Sequence, residues 1–182
     1  MIHQPIELDE LMETPVLETE RLILRAPRSA DYPTWNAFIR DERSRFVGGP
    51  LSEGRAWRAF ATLVGHWLIR GCGGFVLVER ETGEPVGHVG PWFPGEWPER
   101  EIAWCAWTPS AEGRGLIREA AKVVLTHVFR DLGWSTAVSY IDADNARSIA
   151  LAERLGAVRD PDAVVPPDID VLVFRHPRPE AA

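Results

Sequence analysis

The chain of 182 residues is 45% hydrophobic and 26% charged, which excludes a disordered, collagen-like or disulfide-stapled protein and favours one folded domain. Its formal net charge of −7 opposes nucleic-acid binding, because that function needs a basic surface to neutralise phosphates. No apolar run approaches the ~20 residues of a membrane helix, and the acidic N-terminal segment does not resemble a signal peptide. We therefore expect a cytoplasmic protein with no nucleic-acid and no membrane partner.

The first part of the chain predicts a leader, a strand and two helices. Residues 1–18 are interpreted as a leader, residues 19–176 as the folded domain and residues 177–182 as a tail. Polar and apolar residues alternate over residues 21–27, which predicts a half-buried strand. A short helix is expected next, followed by a longer one over residues 52–71. The apolar face of this longer helix is expected to contain Trp57, Phe60, Ala61, Val64, Trp67 and Leu68.

The remainder of the chain changes first to the period of strands and then to alternating helices and strands. Three strands separated by turn residues predict an antiparallel meander over residues 75–80, 85–92 and 101–107. A helix, a strand, a second helix and a hairpin-like pair of strands follow, beginning near residues 113, 136, 145 and 157. This order predicts a mixed α/β sheet with helices on both faces.

Isolated cysteines and histidines predict no metal centre. The two cysteines have no C-x-x-C spacing and no neighbouring histidine cluster, so two buried thiols are expected. His66 and His88 stand in apolar runs, which favours hydrogen-bonded structural roles, whereas His127 and His176 are expected to be exposed.

A glycine-containing loop, Gly113-Arg114-Gly115, is the first segment that indicates a function. It joins a predicted strand to a predicted helix, so amide groups at the helix start can bind phosphate oxygens. The loop is not a P-loop, and it is not a dinucleotide-binding motif, because Arg118 stands where the third glycine belongs. A tight strand-to-helix turn with no ligand explains the loop equally well.

The second informative segment runs from Ser139 to Ala157. A strand leads into a helix that is capped by Asp144 or Asn145 and ended by Gly156. Together with the glycine loop, the pattern D-x-D-N-x-x-S-I-x-L-x-E-R-L-G-A resembles the GNAT superfamily of N-acetyltransferases. Within that superfamily the sequence is similar to the RimJ/RimL-like branch.

The resemblance covers the chain from Thr19 onward, with further matches in residues 20–25, 65–67 and 101–104. It implies a single domain with a mostly antiparallel α/β sheet that splays between its fourth and fifth strands, and acetyl-CoA bound in that gap. The binding residues that it implies for acetyl-CoA are Trp107, Gly113, Arg114, Gly115, Leu116, Ile117, Asn145 and Ser148. No metal is implied.

Two positions depart from the family pattern. Ser110 stands where a glutamine or arginine often begins the pyrophosphate motif, but the backbone amides remain, so we expect binding to be retained. Many members have a tyrosine in the last helix that protonates the departing thiolate, whereas this chain has Ala152. Ser148 is the nearest hydroxyl, one helical turn earlier on the same face, and is the candidate donor.

Glu101 is the candidate base, and it has two interpretations. It shares a strand face with apolar residues that can raise its pKa and let it accept a proton from an ammonium group. A solvated strand end beside Glu99 and Arg100 is the other interpretation. The neighbouring tryptophans are expected to pack in the core or in loops, and part of the loop over residues 91–98 is expected to border the acceptor site.

The sequence therefore predicts an enzyme that transfers an acetyl group from acetyl-CoA to a primary amine, either a protein N-terminus or a small molecule. A homodimer is left open. One alternative is a non-catalytic acyl-CoA-binding module that senses or regulates, which the missing tyrosine supports. A nucleotide-binding protein that uses the glycine loop is a third.

Overall fold

The computed structural model describes residues 4–179, which form an eight-stranded sheet flanked by helices. The strands are β1 (Leu17–Glu18), β2 (Leu22–Arg25), β3 (Phe75–Glu79), β4 (Pro85–Trp92), β5 (Glu101–Ala106), β6 (Val138–Ile141), β7 (Val158–Arg159) and β8 (Leu172–Arg175). Their spatial order is β1-β2-β3-β4-β5-β6-β8-β7. Neighbouring strands are antiparallel except for β5 and β6, which confirms the mixed, mostly antiparallel sheet expected from the sequence.

The helices are α1 (Leu8–Leu11), α2 (Tyr32–Ile39), α3 (Glu53–Arg70), α4 (Leu116–Arg130) and α5 (Ala146–Arg154). Ser52 precedes α3 as its N-cap residue, and Gly71 ends it in the left-handed region at φ 71°. Helix α4 begins at Leu116, later than expected, because Gly113 and Gly115 both have positive φ values. None of the helices in residues 4–179 is long and apolar enough to span a bilayer.

Alternation along β3 shows how the sheet is covered on both faces. Phe75 and Leu77 lie in one core cluster with Val124 of α4, while Val76 lies in a second cluster with Phe60 of α3. Helix α4 therefore covers one face, and α2 and α3 cover the other. The expectation of helices on both faces is confirmed.

The segment interpreted as a leader contacts the sheet within its described part. Leu8 of α1 is buried in the main core cluster, and Leu17 of β1 pairs with Leu24 of β2. The carboxylate of Glu7 accepts hydrogen bonds from the Ser29 backbone and hydroxyl. Residues 1–3, like residues 180–182 of the expected tail, lie outside the described part of the chain, and the two domain boundaries remain predictions.

Two expectations about exposure were wrong. Phe60 and Trp67 of α3 are buried as expected, but Trp57 and Leu68 are 61% and 52% exposed. Ala56, Leu63 and His66 complete the buried side of this helix. His127 and His176, expected at the surface, are buried. A helical period identifies apolar spacing, but it does not decide which of two adjacent apolar stripes faces the sheet.

Candidate active site

Strands β5 and β6 are joined at one end and diverge at the other. Within the described chain their pairing is confined to Glu101 opposite Val138, where the Val138 N–H donates to the Arg100 carbonyl at 3.1 Å. One residue further on, the Ser139 hydroxyl donates to the Ile102 carbonyl at 2.6 Å. The sheet opens beyond that point, which confirms the splay expected between the fourth and fifth predicted strands.

A cavity of about 830 Å³ occupies this gap and is lined from both faces of the sheet. One part of the cavity, which we call the donor half, is lined by Trp104, Ser139, Ile141, Asn145 and Ser148. The acceptor half is the part that is lined by Trp35, Ile39, Arg45, Phe46, Val47, Gly48, Leu51, Ala59, Thr62, Leu63, His88, Trp92, Trp97, Glu101, Ala103, Tyr140, Asp168, Ile169 and Asp170. One continuous space therefore connects the two sides of the sheet.

The backbone of β5 forms one wall of the donor half. The Trp107 N–H bonds to the Val86 carbonyl of β4, so the backbone groups of alternate residues, including Trp104 and Ala106, point away from β4 and toward the gap. An extended ligand that carries amide groups can pair with this edge as an added strand. The gap thus fits the pantetheine arm of CoA, which carries two amides.

The loop that joins β5 to α4 has the backbone geometry of an anion site. Gly113 and Gly115 adopt φ values of +73° and +76°, which residues with a Cβ rarely adopt. An added Cβ at Gly113 would meet nothing within 4 Å, and one at Gly115 would meet the Arg21 guanidinium at 3.9 Å, so the outer side of the loop is open. The first N–H groups of α4 have no partner within the helix, and the helix dipole favours an anion there.

Two arginines hold this loop in place. Arg21 donates to the Arg114 carbonyl at 3.0 Å and pairs with Glu119 of α4 at 2.6 Å. Arg114 pairs with Glu79 of β3 at 2.5 Å. Because Glu79 already neutralises the Arg114 guanidinium, the backbone of the loop is better placed than this side chain to bind a phosphate.

An ion-pair chain connects the loop to both halves of the cavity. Glu112 in the loop pairs with Arg43 at 2.6 Å and with Arg147 of α5 at 2.6 Å. Arg43 also donates to the carbonyl groups of Trp107 and Ala106 at the end of β5. Burial alone would raise the pKa of the Glu112 carboxyl, but these two arginines lower it. Neither arginine was predicted from the sequence.

The side chains of three expected acetyl-CoA-binding residues pack within the protein. The indole of Trp107 is 2% exposed and donates to His88 Nδ1 at 3.0 Å, so it does not line the gap. Leu116 is fully buried in the main core cluster, and Ile117 packs beside it. The backbone groups of Leu116 and Ile117 at the start of α4 remain in position to contact a ligand.

The start of α5 brings two expected residues into the donor half. Asn145 caps the helix by accepting a hydrogen bond from the Ser148 N–H at 3.2 Å. The Ser148 hydroxyl accepts a hydrogen bond from Trp104 Nε1 at 3.3 Å, which leaves its proton available to a ligand. Ala152, where the family tyrosine is expected, is fully buried beside Ile141 and has no contact with the cavity.

Glu101 is buried at the closed end of the gap, so the interpretation as a solvated strand end was wrong. It is 7% exposed, and its carboxylate accepts a hydrogen bond from Trp97 Nε1 at 2.6 Å. Burial raises the pKa of Glu101 to about 8, although the hydrogen bond from Trp97 acts in the opposite direction. Trp97 belongs to the loop that was expected to border the acceptor site, and it lines the acceptor half.

Two buried histidines stabilise the walls of the cavity. Burial lowers the pKa of both His88 and His176 to about 4, so both rings are neutral near pH 7. His88 bonds to Trp107, which confirms its expected structural role. The His176 Nε2 atom lies 2.9 Å from the Ser139 hydroxyl, which in turn closes the apex of the gap.

Comparison with known proteins identifies the family. A sequence model of the acetyltransferase (GNAT) domain matches residues 21–158. The chain belongs to the GNAT acetyltransferase family. GNAT acetyltransferases use acetyl-CoA as the acetyl donor, and the splayed sheet and glycine loop described above fit that ligand. Among residues 4–179, no group of three or more His, Cys, Asp or Glu side chains could hold a metal ion.

Three relatives show how far this likeness extends. This GNAT chain is 36% identical to an acetyltransferase from Agrobacterium tumefaciens str. C58, with a TM-score of 0.84 over 91% of this chain and 95% of that one. It is 33% identical over 99 residues to a mycothiol acetyltransferase from Paenarthrobacter aurescens (strain TC1). These residues cover 52% of this chain and 30% of that protein. RimL, a ribosomal L7/L12 alpha-N-protein acetyltransferase, in complex with coenzyme A shares the fold at 15% identity and a TM-score of 0.66, over 89% of this chain and 96% of that one. The likeness to RimL shows that the two chains share the fold.

Proposed function

We propose that this GNAT acetyltransferase transfers the acetyl group of acetyl-CoA directly to a primary amine while both substrates are bound. The observation that carries the proposal is the continuous cavity through the β5–β6 gap, which connects the donor half to Glu101 in the acceptor half. Holding an amine against a thioester in such a space supplies most of the rate enhancement through orientation. No metal is required for this reaction.

Acetyl-CoA binds in the donor half according to this proposal. Its pyrophosphate is bound by the amides of Gly113, Arg114, Gly115 and Leu116, where the open side of the loop and the start of α4 favour an anion. Its pantetheine arm lies along β5, and its thioester reaches the part of the cavity that Trp104 and Ser148 line.

The chemistry then needs one proton acceptor and one hydrogen-bond donor. Glu101, directly or through a water molecule, takes a proton from the acceptor ammonium, and the amine lone pair forms the C–N bond to the acetyl carbon. The C–S bond breaks, and the electron pair leaves on the CoA sulfur. The attacking nitrogen loses its second proton to that thiolate, directly or through a water molecule, so the products are the amide and the CoA thiol. The Ser148 hydroxyl, oriented by Trp104 Nε1, donates a hydrogen bond to that thiolate. A bound ammonium also lowers the pKa of Glu101, because opposite charge favours the carboxylate.

A direct assay tests the proposal against its alternative. Purified protein is incubated with acetyl-CoA and a panel of amines and N-terminal peptides, and both CoA release and the mass of the acetylated product are measured. Turnover with product formation is expected. Acetyl-CoA binding by calorimetry without turnover of any amine would instead support the non-catalytic acyl-CoA-binding module, which the buried Ala152 favours. Stabilisation by ATP or NAD but not by acetyl-CoA would support the nucleotide-binding alternative.

Replacement of Trp97 by phenylalanine is expected to shift the pH dependence of the reaction. The change removes the N–H group that bonds to Glu101 and lowers the pKa of its carboxyl. The pKa of Glu101 therefore rises, and the acid limb of kcat/KM is expected to move up by about one pH unit, since a hydrogen bond to a charged group contributes ~1.5 kcal/mol or more. A loss of activity that is equal at every pH would show that Trp97 acts only by packing.

Replacement of Ser148 by alanine is expected to lower kcat by about tenfold or less. The variant loses one hydrogen bond to the departing thiolate, but a thiol with a pKa of ~8.5 can leave without protonation near neutral pH. Steady-state kinetics with the best acceptor measure the effect, and Ser148→Thr, which retains the hydroxyl, is the matched control. Equal rates for the wild type and Ser148→Ala would remove Ser148 from the mechanism.

A further inference from the structure

The acceptor half of the cavity carries a pattern of walls and charges that the transfer reaction alone does not require. We infer that the acceptor is a small primary amine with an aromatic or branched apolar body, which binds as its cation. This inference rests on the proposed acetyltransferase function and specifies the class of its second substrate.

The walls of the acceptor half are mostly aromatic and aliphatic. They are contributed by α2, the segment between α2 and α3, α3, β4 and the loop before β5, in the residues Trp35, Ile39, Phe46, Leu51, Leu63, Trp92 and Trp97. Several of these side chains are fixed by neighbours: Trp35 donates to the Ala56 carbonyl, and the Trp92 ring stacks on His66 at 5.4 Å. A preformed apolar wall favours a ligand that buries apolar surface, by ~25 cal/mol for each Å².

The charged groups of the acceptor half are predominantly acidic. Asp168 and Asp170 lie at its rim, and within residues 4–179 neither carboxylate forms an ion pair. Arg45, whose guanidinium lies over the Phe46 ring, is the cation among the lining residues. Glu101 at the closed end adds a negative charge only as pH rises through its pKa of about 8. Acidic groups around a cleft attract a cationic ligand and raise its local concentration.

The loop that carries Asp168 lies at the rim of the acceptor half. Asp168 has a φ of 61°, in the left-handed region that costs a non-glycine residue free energy. The same loop is tied to the cavity by the Tyr140 hydroxyl, which donates to the Val164 carbonyl at 3.4 Å. This contact places the loop beside the cavity.

The size of the space favours a small molecule. The whole cavity of about 830 Å³ must also accept the thioester end of acetyl-CoA, so the part left for the acceptor matches the lower range of small-molecule sites, which begins at ~300 Å³. The aromatic rings beside a bound ammonium add cation–π attraction. The best acceptor therefore combines one ammonium group with a compact apolar body.

The test compares four amines at fixed acetyl-CoA: 2-phenylethylamine, n-butylamine, spermidine and a tetrapeptide with a free N-terminus. We expect kcat/KM for 2-phenylethylamine to exceed that for each of the other three at least tenfold. Higher kcat/KM for spermidine or for the peptide would overturn the inference while leaving the acetyltransferase function intact. No turnover with any amine in this or a wider panel would contradict the proposed function itself.

Variants of the rim separate charge from packing. The double variant Asp168→Asn and Asp170→Asn is expected to raise KM for 2-phenylethylamine about tenfold, to leave kcat unchanged and to weaken the dependence of KM on salt. Asparagine tolerates the left-handed backbone of Asp168, so folding is retained. Asp162→Asn, an exposed acid of the same loop outside the cavity, is the matched control. An unchanged KM in the double variant would show that the rim acids do not bind the acceptor.

Discussion

At pH 9 the Glu101→Gln variant is expected to have a kcat/KM about 100-fold below that of the wild type. Glutamine has the shape of glutamate and can accept the same hydrogen bond from Trp97, but it cannot take a proton from the acceptor ammonium. General-base assistance contributes about 10²–10⁴-fold in enzymes, so the lower bound of this range is a conservative expectation. Steady-state rates of CoA release from pH 6 to pH 10 measure the effect.

The pH dependence of the two proteins gives a sharper result than a single rate. Because burial raises the pKa of Glu101 to about 8, the active carboxylate is a minor form at pH 7 and its fraction increases with pH. The kcat/KM of the wild type is therefore expected to rise with pH up to about pH 8. This rise is expected to be absent in Glu101→Gln. If the limb persists in the variant, or follows the pKa of the acceptor when the acceptor is changed, Glu101 is not the base.

Folding stability provides the control for this variant. A carboxyl whose pKa is higher in the folded than in the unfolded state contributes stability below its unfolded pKa, and this contribution is lost as pH rises through the folded pKa. For Glu101 the window extends from about 4.5 to about 8, so the wild type is expected to lose stability there relative to Glu101→Gln. Glu96→Gln, an exposed acid in the preceding loop, is expected to change neither activity nor this pH dependence.

Replacement of Gly115 by valine is expected to weaken CoA binding at least tenfold. The left-handed backbone of Gly115 opposes a β-branched residue, and the added side chain would occupy the open side of the loop, where the phosphates approach the amides. Isothermal titration calorimetry with CoA measures the affinity directly, without the need for an acceptor.

The control for this variant must carry the same backbone strain at a distant position. Gly133, which follows α4, has a φ of +64°. An added Cβ there would meet nothing within 4 Å, whereas one at Gly115 would meet only the Arg21 guanidinium at 3.9 Å. Gly133→Val is expected to lose a comparable ~1–2 kcal/mol of stability and to bind CoA as the wild type does. Equal affinity of Gly115→Val and the wild type would exclude the glycine loop as the phosphate site.

Local patterns were sufficient to predict the sheet and the position of Glu101. Alternation placed the three strands of the meander, and the same alternation put Glu101 on the face with Ala103 and Cys105, where the structure has it. The change from strand to helical period, with two glycines between them, located the loop before α4. These features depend on residues that are neighbours in sequence.

Contacts between distant segments could not be predicted in this way. Arg43 and Glu112 meet across 69 residues, and nothing in the sequence around Arg43 distinguishes it from the other exposed arginines. Trp107 was expected at the ligand from the family resemblance, but its indole packs against Trp35 of α2. The pairing of Trp97 with Glu101 spans four residues, yet it depends on the path of a loop that contains prolines and a glycine.

The ion pair between Arg43 and Glu112 has a consequence for the kinetics of a two-substrate reaction. Arg43 lies just before a segment that lines the acceptor half. Glu112 lies just before the two glycines of the loop between β5 and α4. The loop cannot be displaced by an incoming phosphate without either moving this segment or breaking the contact at 2.6 Å. A movement of the loop on phosphate binding would therefore be passed to the wall of the acceptor half. In that case each substrate would change the affinity of the other by the same factor.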